Sequence, residues 1–246
     1  VEETGILIVI AAAFVVGGLV KGLIGGGLPS IVVPIMAIVV DPVFAAAVTL
    51  IPVAATNIWQ ALDGKLLGPV LRRFWAFYLA LFVGVAAGSQ VLIGLPPVTA
   101  ALLIGFAVVF ASPIPLVAHR FVVSPNREKL LNPAMGGVMG ILGGTTVIFT
   151  PTLVYFAMLR LDKNFYVATA AVTAICSMVP LYLGLGFSAA LNWETVRFSV
   201  LLLGPTMLGY VAGRALRGYI SQKLFRLILT ASLILLGIGL IYKGFA

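Results

Sequence analysis

Two glycine-rich stretches hold the residues best suited to chemistry in this chain. Gly25-Gly26-Gly27 runs into Leu28-Pro29-Ser30, and Gly143-Gly144 runs into Thr145-Thr146. Proline is favoured in the first helical turn, where its missing N–H is no loss, so a helix is expected to start near Leu28 or Pro29. A second is expected to start near residue 147, with Thr145 or Thr146 as its N-cap. The first amides of a helix have no intrahelical acceptor, and the macrodipole places about half a positive charge on them. Glycine lets a backbone approach a ligand closely and take positive φ. Two such N-termini make an oxyanion site without a fixed cation. The alternative is close helix packing, which glycine serves equally well.

Neutral side chains at helical spacing extend this set. Thr49, Val53, Thr56 and Gln60 share one face with Asn57 beside it, and Thr169, Thr173, Cys176 and Pro180 share another with Ser177 beside it. Thr49, Asn57, Thr173 and Ser177 are candidate donors to an anion. The competing reading is hydroxyls bonded to their own helix or to a neighbouring one. Lys21 lies four residues before Gly25. It either adds positive potential to the site or snorkels from a helix end. Asp41 and Asp162 read as helix caps, and no carboxylate reads as intramembrane.

The elements that must position these groups are transmembrane helices. The 246 residues are 62% hydrophobic and 9% charged, where a soluble domain carries roughly 25% charge. Charge-free runs such as 42–62, 74–118 and 164–193 exceed the roughly 20 residues a spanning helix needs. The chain therefore reads as an all-α, polytopic transmembrane bundle. Its formal net charge of +8 fits basic loops and membrane lipid, not nucleic acid. One histidine, His119 beside Arg120, supports neither a metal site nor Ser-His hydrolysis. No phosphate-cradling Gly-Lys-Ser/Thr loop exists. The sequence thus implies no enzyme and no cofactor. Cys176 is the single cysteine, so no intrachain disulfide forms. Val-Glu-Glu at the start lacks a basic n-region, so the first apolar run reads as a retained helix.

Gly, Pro and charge punctuation predict helical segments near 6–24, 28–40, 44–62, 74–94, 97–118, 132–142, 146–159, 165–187, 197–213 and 225–242. Segments 28–40, 132–142 and 146–159 are too short to cross a ~30 Å core and read as half-helices around the glycine loops. Of the 15 Lys and Arg residues, only Arg197 and Lys243 fall opposite the rest. That bias puts both termini outside. The halves also repeat. Gly22-x-x-Gly25-Gly26 with Pro34 recurs as Gly140-x-x-Gly143-Gly144 with Pro151. Ala46-Ala47-Val48-Thr49 recurs as Ala170-Ala171-Val172-Thr173, Arg73-Phe74 as Arg197-Phe198, and Gly84-x-x-x-Gly88 as Gly209-x-x-x-Gly213. Five segments per half is odd, so the second half enters from the opposite side. This predicts two inverted repeats, 1–118 and 132–246, joined by a cytoplasmic loop at 119–131. Many secondary transporters use that architecture for alternating access.

The same residues resemble a known family. Gly22-Leu-Ile-Gly25-Gly26-Gly27 with Pro34, then Ala46 to Thr49, is similar to the first-half signature of the TauE/SafE sulfite exporter family, also called the toluenesulfonate uptake permeases. Gly136 to Pro151 with Ala170 to Thr173 resembles the second-half copy, with Thr145 where the first copy has Gly27. The resemblance implies a secondary carrier of small sulfur-containing anions such as sulfite or organosulfonates. It implies export across a bacterial or archaeal cell membrane. A passive anion channel or a non-transporting scaffold is the alternative, and homo-oligomerisation is left open. Substrate contacts are expected from Gly25, Gly26, Gly27, Thr49, Asn57, Gly143, Gly144, Thr145, Thr146, Thr173, Ser177 and Lys21.

Overall fold

A computed structural model describes residues 2–62, 66–117, 122–187, 191–216, 219 and 222–245. The expected junction at 118–121, with His119 and Arg120, lies outside the described residues. All regular structure described is helical. In chain order the helices are α1 (Glu2–Ile24), α2 (Leu28–Ala37), α3 (Pro42–Ala47), α4 (Leu50–Leu62), α5 (Leu67–Gly94), α6 (Pro97–Ala111), α7 (Ile114–Val117), α8 (Pro125–Thr146), α9 (Thr150–Met158), α10 (Lys163–Phe187), α11 (Trp193–Leu216) and α12 (Gln222–Phe245). Among the described residues five stretches are long and apolar enough to cross a bilayer: Gly5–Ile24, Pro42–Ala61, Leu67–Gly94, Asn164–Gly186 and Trp193–Leu216. Large apolar side chains such as Leu79, Val83, Leu201 and Leu208 are exposed on α5 and α11. In water that would be a liability; against lipid tails it is the expected surface.

Local chemistry explains most boundaries. Asp41 caps α3, its Oδ1 accepting from the amides of Val43 (2.8 Å) and Phe44 (3.0 Å). Asp162 does the same for α10 with Asn164 and Phe165. Pro97 opens α6, and the helix breaks before α7 at Pro113. The expected segment 44–62 is interrupted at Val48-Thr49. Two expectations are corrected. Residues 132–142 are not a short half-helix but the middle of α8, which has 22 residues. The charged run before it looked like loop. Instead Pro125 opens the helix and Glu128 sits in its first turn, where a carboxylate suits the dipole. The helix then continues through Gly143, Gly144, Thr145 and Thr146, so these do not precede a helix. The following helix, α9, starts at Thr150, with Phe149 as its N-cap and Pro151 in its first turn.

Without a hydrophobic force between helices in lipid, close packing of small residues holds the bundle. Along the α1–α11 seam, Gly18 and Gly22 abut the backbone of Thr206, Tyr210 and Arg214, while Gly209 and Gly213 abut Val15 and Leu19. Along the α5–α8 seam, Gly84 and Gly88 abut Gly137, Ile141 and Thr145, and Gly136, Gly140 and Gly144 abut Phe77, Leu81 and Val85. Within each seam the numbers rise together, so the helices run parallel. Two other pairs run antiparallel. In α6–α12, Leu102 lies by Gly244 and Val109 by Gly237. In α4–α10, Thr49 meets Tyr182 and Gln60 meets Val167. The repeat motifs thus pack across the halves, glycine pairs of one half on glycine pairs of the other.

Candidate functional site

The short helices α2 and α9 have 10 and 9 residues. At 1.5 Å per residue each covers roughly half of a ~30 Å apolar core. Their N-termini meet. Thr150 donates a hydrogen bond to Ser30 Oγ at 3.2 Å, and a Cβ on Gly26 would stand 3.0 Å from Leu153. A cavity of ≈ 60 Å³ lies at this junction, walled by the loop Gly25–Gly27, the starts of α2 and α9, Asn57 of α4, and the Thr173, Ser177 and Tyr182 face of α10.

The first loop takes the form that only glycine takes readily. Gly25 and Gly27 have φ of 86° and 88°, where an L side chain costs roughly 1–2 kcal/mol. Among the described residues neither Gly26 nor Gly27 finds an acceptor for its amide. Gln60 fixes the loop from α4: its amide donates to Gly25 O at 2.9 Å and reaches Val167 O of α10 at 3.4 Å. Pro29 stands in the first turn of α2 as expected.

Lys21 is the basic side chain of the site. It lies in the last turn of α1, is only 2% exposed, lines the cavity, and donates to Asn57 Oδ1 at 2.7 Å. It does not snorkel. Asn57 is held in turn by its Nδ2, which donates to Val53 O at 2.8 Å. The only salt bridge seen among the described residues is elsewhere: Arg73 of α5 forks onto Glu128 of α8, both bonds 2.8 Å. Among the described residues no carboxylate lines the cavity.

The expected site residues therefore divide. Gly25, Gly26, Gly27, Asn57, Thr173, Ser177 and Lys21 line the cavity. Thr49 is one step back, 2.8 Å from Tyr182 Oη, which does line it. Gly143, Gly144, Thr145 and Thr146 do not line it. Gly144 packs on α5, and a Cβ there would meet Val85 O at 2.5 Å and Ser89 N at 2.9 Å. A Cβ on Gly143 would overlap the Phe149 ring. Thr145 and Thr146 bond back to Ile141 O and Leu142 O. Close packing, the competing use of glycine, is what the second stretch does. Three polar lining residues were missed. Ser30 and Thr150 flank first-turn prolines, and the Thr-Pro pair at 150–151 was the signal for where α9 begins. Tyr182 sits in an apolar run and gave no signal of its own.

Known proteins were then compared with the chain. A protein-family model described as sulfite exporter TauE/SafE matches residues 9–240. Neither the curated proteins nor the solved structures gave a match.

Proposed function

The chain belongs to the TauE/SafE sulfite exporter family, whose members are membrane transporters and not enzymes, and on that premise we propose that it is a secondary carrier exporting a small sulfur-containing oxyanion. The observation that carries the reading is one cavity where two half-helix N-termini converge beside a buried lysine. Unpaired amides at Gly26 and Gly27, the positive ends of α2 and α9, and the Lys21 ammonium all favour negative charge. A bare anion is otherwise prohibitively costly in an apolar core. Size narrows the class. One water needs roughly 10–15 Å³ of such volume, so this cavity suits an ion of about five non-hydrogen atoms and is tight for an aryl sulfonate.

Alternating access is the proposed mode, with α1 to α7 and α8 to α12 as inverted repeats and both termini outside. The packing supports it. Matching elements of the halves, α4 with α10 and α6 with α12, lie side by side in opposite directions, as a two-fold axis in the membrane plane requires. The parallel seams α1–α11 and α5–α8 exchange under the same operation. The test is uptake of radiolabelled sulfite into proteoliposomes. A carrier gives saturable flux and counterflow, and sulfate or aryl sulfonates compete poorly. Ohmic current across a planar bilayer, without counterflow, replaces the carrier with a channel.

A further inference from the structure

The cavity is not uniformly a donor site, and the hydrogen ledger shows where it changes. On the side built by α1, α2 and α4, hydrogens are in surplus. Lys21 spends one of three on Asn57, and Asn57 spends one of two on Val53 O. Ser30 accepts from Thr150 and so keeps its own hydrogen. The amides of Gly26 and Gly27 are free. The α10 side is the reverse. Thr173 gives its only hydroxyl hydrogen to Thr169 O at 2.8 Å, and Ser177 gives its own to Thr173 O at 2.7 Å. Thr49 gives its hydrogen to Ala46 O at 2.7 Å, so the Tyr182 hydroxyl must be the donor in the 2.8 Å contact between them. Thr173, Ser177 and Tyr182 line the cavity, and what they have left to offer is oxygen lone pairs.

An oxyanion without hydrogen would place its own lone pairs against those three oxygens. We propose that the cavity is built for an oxyanion that carries a hydrogen of its own, oriented with its charge toward Lys21 and the Gly26–Gly27 amides and its hydrogen toward α10. For sulfite this means the singly protonated ion in place of the dianion; it also disfavours sulfate at neutral pH. The inference rests on the anion-carrier reading above and names the ligand form of that same site. Among the described residues the titratable side chains lining the cavity are Lys21 and Tyr182, with Tyr78 of α5 behind Thr173, and their own response to pH must be separated from the ligand's.

Calorimetry on the detergent-purified full chain separates them by pairing sulfite with methanesulfonate, which carries one negative charge at every pH used and no acidic hydrogen. Across the pH range in which sulfite gains its proton, total-sulfite affinity should rise relative to methanesulfonate as pH falls. At the acid end sulfite should bind more tightly by roughly tenfold, the equivalent of one charge-assisted hydrogen bond. Ser177→Ala and Thr173→Val should each erode that preference, lowering sulfite affinity by a larger factor than methanesulfonate affinity. Equal affinities at every pH, or tighter sulfite binding at the alkaline end, overturn the inference and leave the anion site standing. Failure of both anions to bind at any pH overturns the proposed function itself. A folded-state check by size-exclusion profile removes variants that merely misassemble, and either α10 variant alone suffices for the test.

Discussion

Lys21 meets Asn57 in the first half of the chain; aligned on Gly22 with Gly140 and Thr49 with Thr173, the second half has Met139 and Leu181 at those points. Both apolar residues are buried. The opposite exchange occurs at one end of α8. Glu128 and Asn132 of α8, bonded to Arg73 and Tyr155, correspond to Ile10 and Phe14 of α1, both buried. Under the proposed repeat each half has the scaffold glycines and lacks one polar cluster that the other has. The first half keeps the cation and the open glycine loop. The second supplies the glutamate of the ion pair with Arg73 and a loop, Val147 to Phe149, that turns through a valine at φ 60°. Packing demands are common to both halves and preserve the motif. On the proposed reading the two halves share one cavity, the first supplying Lys21, Asn57 and the open glycine loop and the second the Thr173, Ser177 and Tyr182 wall.

Replacing Lys21 by the second half's residue gives the largest expected effect. Lys21→Met removes the cavity's cation but keeps its volume. Substrate affinity should fall by roughly a hundredfold or more, about 3 kcal/mol, as when one partner of a buried charge pair is truncated. Calorimetry and proteoliposome uptake measure it. Met139→Lys should not restore binding, because residue 139 is not part of the cavity wall. Rescue by that change would mean the halves are interchangeable.

The two glycine stretches separate next. Gly144→Ala drives a methyl into the backbone of α5 and should lower stability by about 1–3 kcal/mol, seen as a lower melting temperature in detergent. Gly26→Ala meets only the flexible end of Leu153. It should melt near wild type while affinity drops by roughly tenfold, since the methyl stands beside the free amides. Equal loss of binding with unchanged stability in both would restore the second stretch as a ligand loop.

How much of this was legible in the sequence depends on what each residue answers to. Hydropathy, proline and the aspartate caps place α1, α6, α10 and the start of α3, because those signals are local. The extent of α8 was not readable. Arg127, Glu128 and Lys129 look like loop until Arg73, 55 positions away, is seen to neutralise Glu128. The first glycine loop was legible from Pro29. The second misled because a glycine pair reads alike whether it faces a ligand or a helix, and only the partner, Val85 to Ser89, decides. Lys21 was ambiguous for the same reason: a lysine four residues from a loop snorkels or stays, depending on whether a buried acceptor such as Asn57 waits for it.

The ion pair tests the other side of the comparison at smaller scale. Glu128→Gln should cost about 1–2 kcal/mol of stability, less than a fully buried pair, because the Arg73 side chain is 41% exposed. Arg197, the counterpart of Arg73, is exposed, so Arg197→Gln should change the melting temperature little, within about 0.5 kcal/mol. Comparable losses from both would mean that Arg197 has a role like that of Arg73.

The smallest expected loss of affinity concerns Thr49 and Thr173, the pair the proposed repeat aligns. Thr173 lines the cavity directly, whereas Thr49 is separated from it by Tyr182. Thr49→Val removes the acceptor that holds the Tyr182 hydroxyl, so the tyrosine loses its fixed orientation without losing its place. Affinity should drop by about 1 kcal/mol, near fivefold, the usual net worth of one neutral hydrogen bond. Tyr182→Phe should cost at least as much, since it deletes the other end of that bond and an oxygen of the cavity wall. The double variant then decides the route. If Thr49 acts through Tyr182, the pair together costs no more than Tyr182→Phe alone. Contacts made independently would instead add, to within a few tenths of a kcal/mol. Additive losses would put Thr49 against the ligand beside Thr173 and make the two halves more alike at the site than their geometry implies.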